Sequence, residues 1–341
     1  MSVTELERVQ LSERLETERL VDHFPHLAEE LGNLAVMLVH ADTQESGSFK
    51  SRGAKNAISK LPISTQEVVT ASAGNHARGV AVAAARQGLR ATIVVPNSAP
   101  EQKSDGIYRL WDENKGRPGE LQVVKFGDNF DETLEFARER YSDAHFIHPF
   151  DDPDVIEGQG SLMHDVKEAV PGVTDVILPV GGNGLITGMF LAANGTRVWG
   201  IEAKGSDSLS KSLNDPHGHL LEASAPNAFY AGSAIKKTGQ HGVELLRSNG
   251  FNPDRLVTAN DSDVLNLAVE YSRDGEQPGK QLEPTSLLAI AGLVKMIRQG
   301  RFTEKNVIAV VGTGHNESPQ NLVRAHWKRQ HKMLGGFVGE Q

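Results

Sequence analysis

Residues 176–188 read VILPVGGNGLITG, a short aliphatic run that passes through a glycine-rich turn into a second apolar segment. This order predicts a strand, a tight turn and a helix. Glycines let main-chain amides approach an anion closely, and the free N–H groups at a helix start favour negative charge. The turn is therefore a candidate cradle for a phosphate group, although glycines also cluster in such turns without any ligand.

Neither of the common nucleotide motifs fits this turn. A dinucleotide fingerprint requires a glycine at position 187, where Thr187 stands, and no Gly-Lys-Ser/Thr sequence follows to complete a P-loop. These departures weaken both nucleotide interpretations, so other segments of the chain have to identify the ligand.

Elsewhere in the chain, short β-branched runs alternate with segments whose apolar residues are three and four positions apart. The predicted strands are 68–71, 91–95, 121–126, 175–180, 197–201, 255–258 and 307–311, and the predicted helices are 52–60, 75–87, 130–141, 153–169, 184–193, 262–273 and 284–299. This alternation indicates an α/β fold with a largely parallel sheet. Ligands bind beyond the carboxyl ends of strands in such sheets, so we expect the chemistry where a strand enters a glycine-rich turn.

Composition narrows the classes of partner and nucleophile. The chain has 341 residues, with 35 Lys and Arg against 44 Asp and Glu, a formal net charge of −9, and no cysteine. The length suits two domains or one large one. The negative charge disfavours nucleic acid and membrane surfaces as partners. Without cysteine, disulfides and thiol chemistry are excluded, and any nucleophile must be Ser, Thr, Lys, His or a carboxylate.

The first twenty residues alternate in charge and contain no apolar run of the kind that a secretory signal requires. No apolar run in the chain approaches the roughly 18 residues that span a bilayer. We therefore expect a cytoplasmic protein without membrane association. The first thirty residues are predicted to form a helix and an arm that packs on a partner subunit.

Two further strand ends enter turns that contain glycine and polar residues. Residues 68–76 read VVTASAGNH and lead into an alanine-rich helix, so their amides form a second candidate anion site. Ser72 and Asn75 in this turn are also ordinary helix caps. Residues 310–316 read VVGTGHN and would present the Thr313 hydroxyl to a crevice.

One lysine, Lys50, lies where its side-chain amine is expected to be neutral. Residues 46–54 read SGSFKSRGA, which puts Lys50 beside Phe49 at the start of a predicted helix. Burial and the positive end of the helix dipole both lower a lysine pKa, and the neutral amine condenses with an aldehyde. Spacing alone is more typical of a solvated lysine, so the case for Lys50 depends on the segments around it.

Taken together, these segments resemble the fold type II family of pyridoxal-phosphate (PLP) enzymes, the tryptophan synthase β-like group, and most closely its threonine/serine dehydratase branch. The residues that carry the resemblance are the lysine motif at 48–54, the substrate loop at 71–77 and the phosphate loop at 181–185, with dehydratase-like segments at 148–154, 158–160 and 282–284.

The resemblance implies an architecture as well as a cofactor. The fold would be α/β, with two open, mostly parallel twisted sheets flanked by helices and PLP in the cleft between two domains. The large PLP-binding domain would comprise residues 1–63 and 143–341, and the nested small domain residues 64–142. The family also implies a homodimer.

The resemblance further implies roles for individual residues. Lys50 would be the Schiff-base lysine and the base, and Ser72 a second catalytic candidate that donates a proton. The cofactor would be bound by Phe49, Lys50, Asn75, Gly181, Gly182, Asn183, Gly184, Leu185, Glu283 and Thr313, with Asn75 on its 3-hydroxyl, the 181–185 amides on its phosphate and Thr313 on its pyridine nitrogen. The substrate carboxylate would be bound by Ser72, Ala73, Gly74, Asn75 and His76.

Some positions depart from the dehydratase pattern. Asn183 stands where a glycine is usual, and either adds a phosphate donor or tilts the turn. The Thr313-Gly314-His315 sequence is similar to that of threonine synthases, and a hydroxyl on the pyridine nitrogen favours prompt loss of a β-substituent. Ala73 occupies the place of a second serine found in serine racemases. This favours a lyase or a synthase over a racemase.

Metal binding has weak support in the sequence. Glu202 resembles the first ligand of the racemase cation site, but Ser208 stands where a carboxylate is expected and Asp207 is one position away. No His-Glu-x-x-His sequence is present for a catalytic zinc. We therefore predict no metal and keep Glu202 as a candidate only.

The predicted function is β-elimination from a β-hydroxy amino acid such as serine or threonine, which yields a 2-oxo acid and ammonia. Two alternatives stay open at this point. A β- or γ-replacement synthase is suggested by Thr313-Gly314-His315 and by the unusual FYAG sequence at 229–232, and a catalytically silent PLP-binding protein is a minor alternative. Because the chain ends soon after a predicted helix at 320–334, we expect no appended regulatory domain and no allosteric control by isoleucine.

Overall fold

The computed structural model describes residues 15–116, 118–226, 228–230, 232–273, 282–320 and 323–324. Residues 1–14 of the predicted arm and almost all of the predicted helix at 320–334 lie outside the described residues. The strands are β1 Glu16–Arg19, β2 Ala35–His40, β3 Glu67–Ala71, β4 Arg90–Val95, β5 Glu120–Lys125, β6 His145–Phe146, β7 Asp175–Pro179, β8 Arg197–Ala203, β9 Leu256–Ala259 and β10 Val307–Gly312. The helices are α1 Leu20–His23, α2 Ala28–Leu31, α3 Lys50–Ser59, α4 Asn75–Gln87, α5 Glu101–Asn114, α6 Phe130–Arg140, α7 Pro153–Ala169, α8 Gly184–Leu191, α9 Ser208–Asn214, α10 Gln240–Ser248, α11 Asp261–Arg273 and α12 Pro284–Arg298.

The larger of two sheets has six strands in the order β1-β2-β10-β7-β8-β9. Its pairs are parallel except at the edge, where β1 runs antiparallel to β2. Helices α11 and α12 pack on one face, with Leu267 and Leu287 in the core there. Helices α7, α8 and α10 cover the other face, with Leu162 and Ile186 in its core. A sheet buried on both faces is typical of parallel α/β folds.

The smaller sheet has four parallel strands in the order β5-β4-β3-β6. Helices α3, α4 and α5 supply Ala57, Ala81 and Ile107 to the core on one face, and α6 supplies Ala137 to the other. The two sheets confirm the predicted fold class. The last strand of the small sheet, β6, lies at residues 145–146, just beyond residue 142, where we predicted that the small domain ends. The division into domains stays a prediction.

The helix and arm predicted for the first thirty residues are wrong over residues 16–19, which form β1. Thr17 lies opposite Val39, so β1 satisfies the backbone groups that an uncovered edge of β2 would expose. The sequence ETER has no apolar alternation, and only this pairing makes it a strand. Within the described residues, no helix has both the length and the apolar character needed to cross a bilayer.

The parallel topology brings distant turns together. Strands β3, β6, β7 and β10 lead directly into the turns that contain Ser72, Pro149, Gly181 and Thr313. Each turn follows the carboxyl end of its strand, which is where parallel sheets place their ligands. All four turns line one cavity between the two sheets.

Candidate active site

The cavity between the sheets has a volume of about 270 Å³. All the residues that the sequence analysis assigned to catalysis, cofactor or substrate line it: Phe49, Lys50, Ser72, Ala73, Gly74, Asn75, His76, Gly181, Gly182, Asn183, Gly184, Leu185, Glu283 and Thr313. The structure therefore brings together residues that are more than 250 positions apart in the chain. Their individual roles stay predictions.

Lys50 is the first residue of α3, and it forms part of the cavity wall. Its Nζ donates a hydrogen bond to the carbonyl oxygen of Pro149 at 2.7 Å and lies 5.2 Å from the centre of the Phe49 ring. Burial lowers the pKa of this amine to about 8, against the opposing attraction of the Glu283 carboxylate. A large fraction of Lys50 is therefore neutral near pH 8, as its position in the sequence suggested.

Two histidines near Lys50 are held in the neutral form. Burial lowers the pKa of His76 well below its usual value and that of His148 to about 3, and the charge of Lys50 adds to both effects. His76 Nε2 lies 3.2 Å from the carbonyl oxygen of Ile147. His148 Nδ1 accepts the amide hydrogens of Phe150 and Asp151 at 3.2 and 2.7 Å. Neutral imidazoles here do not compete with Lys50 for an anionic ligand.

The glycine-rich turn between β7 and α8 forms the predicted cradle. Among the hydrogen bonds of the described residues, the amide N–H groups of residues 181–185 have no protein acceptor. A Cβ atom on Gly182 would lie 2.2 Å from Phe150 Cγ, and one on Gly184 would lie 2.7 Å from the Phe150 carbonyl oxygen. These glycines are required because the turn packs directly on Phe150, and their unpaired amides at a helix start suit a phosphate.

Asn183 takes a different part in this turn from the phosphate donor considered above. Its φ of 74° lies in the left-handed region, where asparagine is tolerated better than most residues. Its Nδ2 donates to Thr238 Oγ1 at 2.9 Å and to the Gly239 carbonyl oxygen at 2.7 Å. The side chain therefore fixes the turn to the segment before α10, and the role of Asn183 toward the phosphate stays a prediction.

A polar network starts from Asn75, the first residue of α4. Its Nδ2 donates to both carboxyl oxygens of Glu283 at 3.2 and 3.1 Å, and its Oδ1 accepts from Asn316 Nδ2 at 2.6 Å. Arg78, one turn further along α4, donates to Asn316 Oδ1 at 2.6 Å. Burial raises the pKa of Glu283 to about 7, although the Asn75 hydrogen bond opposes this shift.

Thr313 is a buried residue of the cavity wall, and its hydroxyl lies 3.2 Å from Ser286 Oγ. Ser286 Oγ already accepts the amide hydrogens of Thr313 and Gly314 at 2.9 and 3.4 Å. The Ser286 hydroxyl hydrogen has two acceptors within reach, Thr313 Oγ1 at 3.2 Å and the Gly314 carbonyl oxygen at 3.4 Å. When it goes to Thr313, the Thr313 hydrogen is available to a ring nitrogen in the cavity.

Ser72, the second catalytic candidate, lies in the cavity wall. Its Oγ accepts the amide hydrogen of Gly74 at 3.2 Å, so it shapes its own loop, and its catalytic role stays a prediction.

Glu202, the candidate metal ligand, does not line the cavity. Its buried carboxyl group accepts the amide hydrogens of Leu209 and Ser210 at 3.0 and 3.2 Å at the start of α9. Burial raises its pKa to about 7, and a metal at Glu202 stays an untested candidate.

Several cavity residues were missed by the sequence analysis. They are Arg78, Lys103 and Glu317, and Lys103 Nζ is paired with Glu317 Oε1 at 2.8 Å. Arg78 could have been found, because it lies three residues after Asn75 and so on the same face of α4. Lys103 and Glu317 carry no motif, and only the folded chain brings them to the cavity. Ser286 carries no motif either, and it does not line the cavity but contacts Thr313 from behind.

The donor groups of the cavity fit PLP. Lys50 supplies an amine of lowered pKa for an aldehyde, the 181–185 amides supply unpaired donors for a phosphate, and Thr313 supplies a hydroxyl for a ring nitrogen. Asn75 lines the same cavity at the start of α4.

Comparison with known protein families agrees with this fit. Residues 20–314 match the model of the family described as "Pyridoxal-phosphate dependent enzyme". The chain therefore belongs to this family of PLP-dependent enzymes, and pyridoxal phosphate is its cofactor.

Relatives are found among both curated sequences and solved structures. The chain is 33% identical over 291 residues to a biosynthetic L-threonine dehydratase of Burkholderia multivorans, an alignment that covers 82% of this chain and 54% of the relative. It is 36% identical over 237 residues to an L-threonine ammonia-lyase of Thermotoga maritima, covering 67% and 56%. The processed form of threonine deaminase isoform 2 from Solanum lycopersicum has a TM-score of 0.77 at 28% identity, covering 93% and 85%. The chain spans about half the length of these curated relatives.

Proposed function

We propose that this chain is a PLP-dependent lyase that catalyses β-elimination from a hydroxy amino acid such as threonine or serine and releases a 2-oxo acid and ammonia. The observation that carries the proposal is the position of Lys50, whose amine has a pKa of about 8 and shares one cavity with the unpaired amides of residues 181–185. The names of the curated relatives, threonine dehydratase and threonine ammonia-lyase, support the same reaction class.

Different residues of the chain bind the cofactor, bind the substrate and transfer protons. PLP, when bound, supplies an electron sink for the negative charge that develops on the substrate Cα. Lys50 Nζ holds the cofactor, and once displaced by substrate it accepts the Cα proton, because its lowered pKa keeps it neutral in part near pH 8. The amides of Ala73, Asn75 and His76 bind the substrate carboxylate at the start of α4. The amides of Ser72 and Gly74 already donate to the Val94 carbonyl oxygen and to Ser72 Oγ. Ser72 passes a proton to the departing hydroxide, which leaves as water, and the ammonium formed on Lys50 by the Cα proton replaces the proton on Ser72.

Thr313 directs the outcome of the reaction toward elimination. A hydroxyl donates a hydrogen bond to a ring nitrogen but does not fully protonate it, so charge is delocalised less than with a carboxylic acid in this place. Ser286 orients the Thr313 hydroxyl through a contact of 3.2 Å. Early loss of the β-substituent is the expected consequence.

We further propose that the chain functions as a homodimer in the cytoplasm. The support is the family resemblance for the dimer and the cysteine-free composition for a reducing compartment. Light scattering of the purified protein and fractionation of the source cells test the two statements.

A turnover assay with matched lysine variants tests the proposed reaction. Ammonia and 2-oxo acid are measured from threonine and serine, with and without an added thiol or amine nucleophile. We expect both products from the wild type and none from Lys50→Ala. The control is Lys60→Ala at the end of the same helix region, because Lys60 forms a surface ion pair with Glu157. Turnover that survives in Lys50→Ala contradicts the proposal, and a new amino acid formed only with the nucleophile indicates a replacement reaction instead.

A further inference from the structure

Outside the cavity, two histidines and a glutamate meet where β1 pairs with β2. Glu18 Oε1 lies 2.7 Å from His23 Nδ1 and 2.8 Å from His40 Nε2. The three potential ligand atoms all lie within 4.8 Å of one another. The side chains of His23 and His40 are 2% and 0% exposed, and that of Glu18 is 16% exposed. This buried cluster of Glu18, His23 and His40 is called the edge cluster below.

The sheet register explains why these side chains converge. Glu16 lies opposite His40 in the β1–β2 pair, so Glu18 and His40 are diagonal neighbours on the same face. His23 is the last residue of α1, the helix that follows β1 directly, and its ring stacks on Tyr271 at 5.3 Å. The cluster is therefore fixed by a strand pair, a helix and an aromatic contact.

A fourth side chain orients the central histidine. Asp42 Oδ1 lies 3.1 Å from His40 Nδ1, and the Asp42 side chain is fully buried. His40 thus directs Nδ1 to a carboxylate while Nε2 faces the edge cluster. A histidine that binds a metal through one ring nitrogen usually donates the other N–H to a carboxylate in this way.

We propose that Glu18, His23 and His40 form a binding site for one divalent transition-metal ion, with Zn²⁺ as the best match and a water molecule as fourth ligand. Two imidazoles and one carboxylate are a familiar zinc donor set. This departs from our expectation of no metal, which rested on sequence spacing alone. None of the ligands lines the cavity, so the site is separate from the PLP chemistry.

At the two contacts of Glu18 the geometry requires only a small adjustment, and the two imidazole nitrogens, which lie within 4.8 Å of each other, would settle at about 3.3 Å when the ion binds. Metal–ligand bonds of about 2.0–2.2 Å in a tetrahedron place the ligand atoms about 3.3 Å apart. The two contacts of Glu18 Oε1, now 2.7 and 2.8 Å, would each widen by about 0.5 Å. Glu18 is the most exposed of the three ligands, and its side chain can supply this movement.

The charges also favour a divalent cation. Glu18 and Asp42 bring two carboxylates to a largely buried place, and both lie within hydrogen-bond distance of the His40 ring. A divalent cation bound between Glu18 and the two imidazoles would offset both carboxylate charges.

Metal titration of the untagged, PLP-loaded protein tests the proposal. The protein is treated with a chelator, dialysed and titrated with ZnCl₂ or CoCl₂ while bound metal, thermal unfolding and the visible spectrum of Co²⁺ are measured. We expect one ion per chain, a higher unfolding midpoint and the intense Co²⁺ absorption of a tetrahedral site. We expect Glu18→Gln and His40→Gln to weaken binding at least tenfold, and Asp42→Asn to weaken it by about 10-fold to 100-fold.

Two surface variants control for adventitious binding. His26→Gln changes an exposed histidine close to the cluster, and His217→Gln removes one ring of the exposed pair His217 and His219. Both should bind the ion as the wild type does. The proposal is overturned if the wild type takes up much less than one equivalent, if His217→Gln abolishes uptake, or if Glu18→Gln keeps both the affinity and the Co²⁺ spectrum. The wild-type stoichiometry and the surface variants decide the matter even where a buried variant does not fold.

Discussion

At the scale of single residues, Lys50 combines a low-polarity position with a single hydrogen-bond acceptor among the described residues, the Pro149 carbonyl oxygen. A neutral acceptor offsets little of the cost of burying an ammonium group, so the pKa falls to about 8. The neutral histidines His76 and His148 keep additional positive charge away from this amine. The residue is thus prepared for covalent chemistry before any ligand arrives.

This pKa predicts the pH dependence of cofactor capture by the apoprotein. Only the neutral amine attacks an aldehyde, so the rate should rise with pH through a midpoint near 8 and then level off. Stopped-flow absorbance after mixing with PLP measures the rate, and subtraction of the Lys50→Ala trace removes reactions of surface lysines. A rate that is flat between pH 6 and 9, or one that still rises steeply near pH 10, would mean that burial does not depress this pKa.

The residue-scale contacts also show where sequence reasoning reaches its limit. Lys50, Asn75 and Thr313 could be predicted because each lies in a short local motif. Arg78 and Asn316 are 238 positions apart, and their hydrogen bond exists only because α4 and the turn after β10 meet in the fold. Ser286 supports Thr313 across 27 positions and has no local signal of its own.

At the scale of elements, the turn between β7 and α8 combines close packing with unpaired donors. The Phe150 ring occupies the space that a side chain at Gly182 would need. The anchoring of Asn183 to Thr238 and Gly239 keeps the turn in place while its amides face the cavity. The turn is therefore shaped from behind by Phe150 and by the segment before α10.

Substitution at this turn should weaken cofactor retention. In Gly182→Ala the new Cβ would lie 2.2 Å from Phe150 Cγ, so either the ring or the turn must move. We expect PLP to dissociate at least about tenfold more readily, about 1.4 kcal/mol, as measured by equilibrium dialysis after release of the covalent link. The double variant Gly182→Ala/Phe150→Ala removes the clash and should recover part of this loss. Unchanged retention in the single variant would show that the turn does not hold the phosphate.

Elements were predictable where apolar periodicity is continuous. Helices α4 and α7 begin and end as predicted, because their apolar faces are unbroken. Asp152 also caps the start of α7 through its side chain. Strand β2 has the aliphatic sequence AVMLVH and could have been found, whereas β1 and the two-residue β6 become strands only through pairing with a neighbour. Local sequence does not encode such pairing.

At the scale of the whole molecule, the two sheets supply opposite walls of one cavity. The small sheet contributes the Ser72 loop and α4, and the large sheet contributes the glycine-rich turn and Thr313. Lys50 starts α3, whose apolar residues pack into the core of the small sheet while β2, just before it, belongs to the large one. The lysine is therefore fixed at the junction of the two layers.

The central claim is that this fold singles out Lys50 as the amine that binds PLP, and borohydride reduction followed by peptide mapping tests it most directly. The folded protein is incubated with one equivalent of PLP, reduced and digested, with a denaturant-unfolded sample treated in parallel. The account predicts one reduced adduct on Lys50 in the folded chain and scattered, weak labelling of lysines in the unfolded one. An unlabelled Lys50, or the same scattered labelling in both samples, would contradict it.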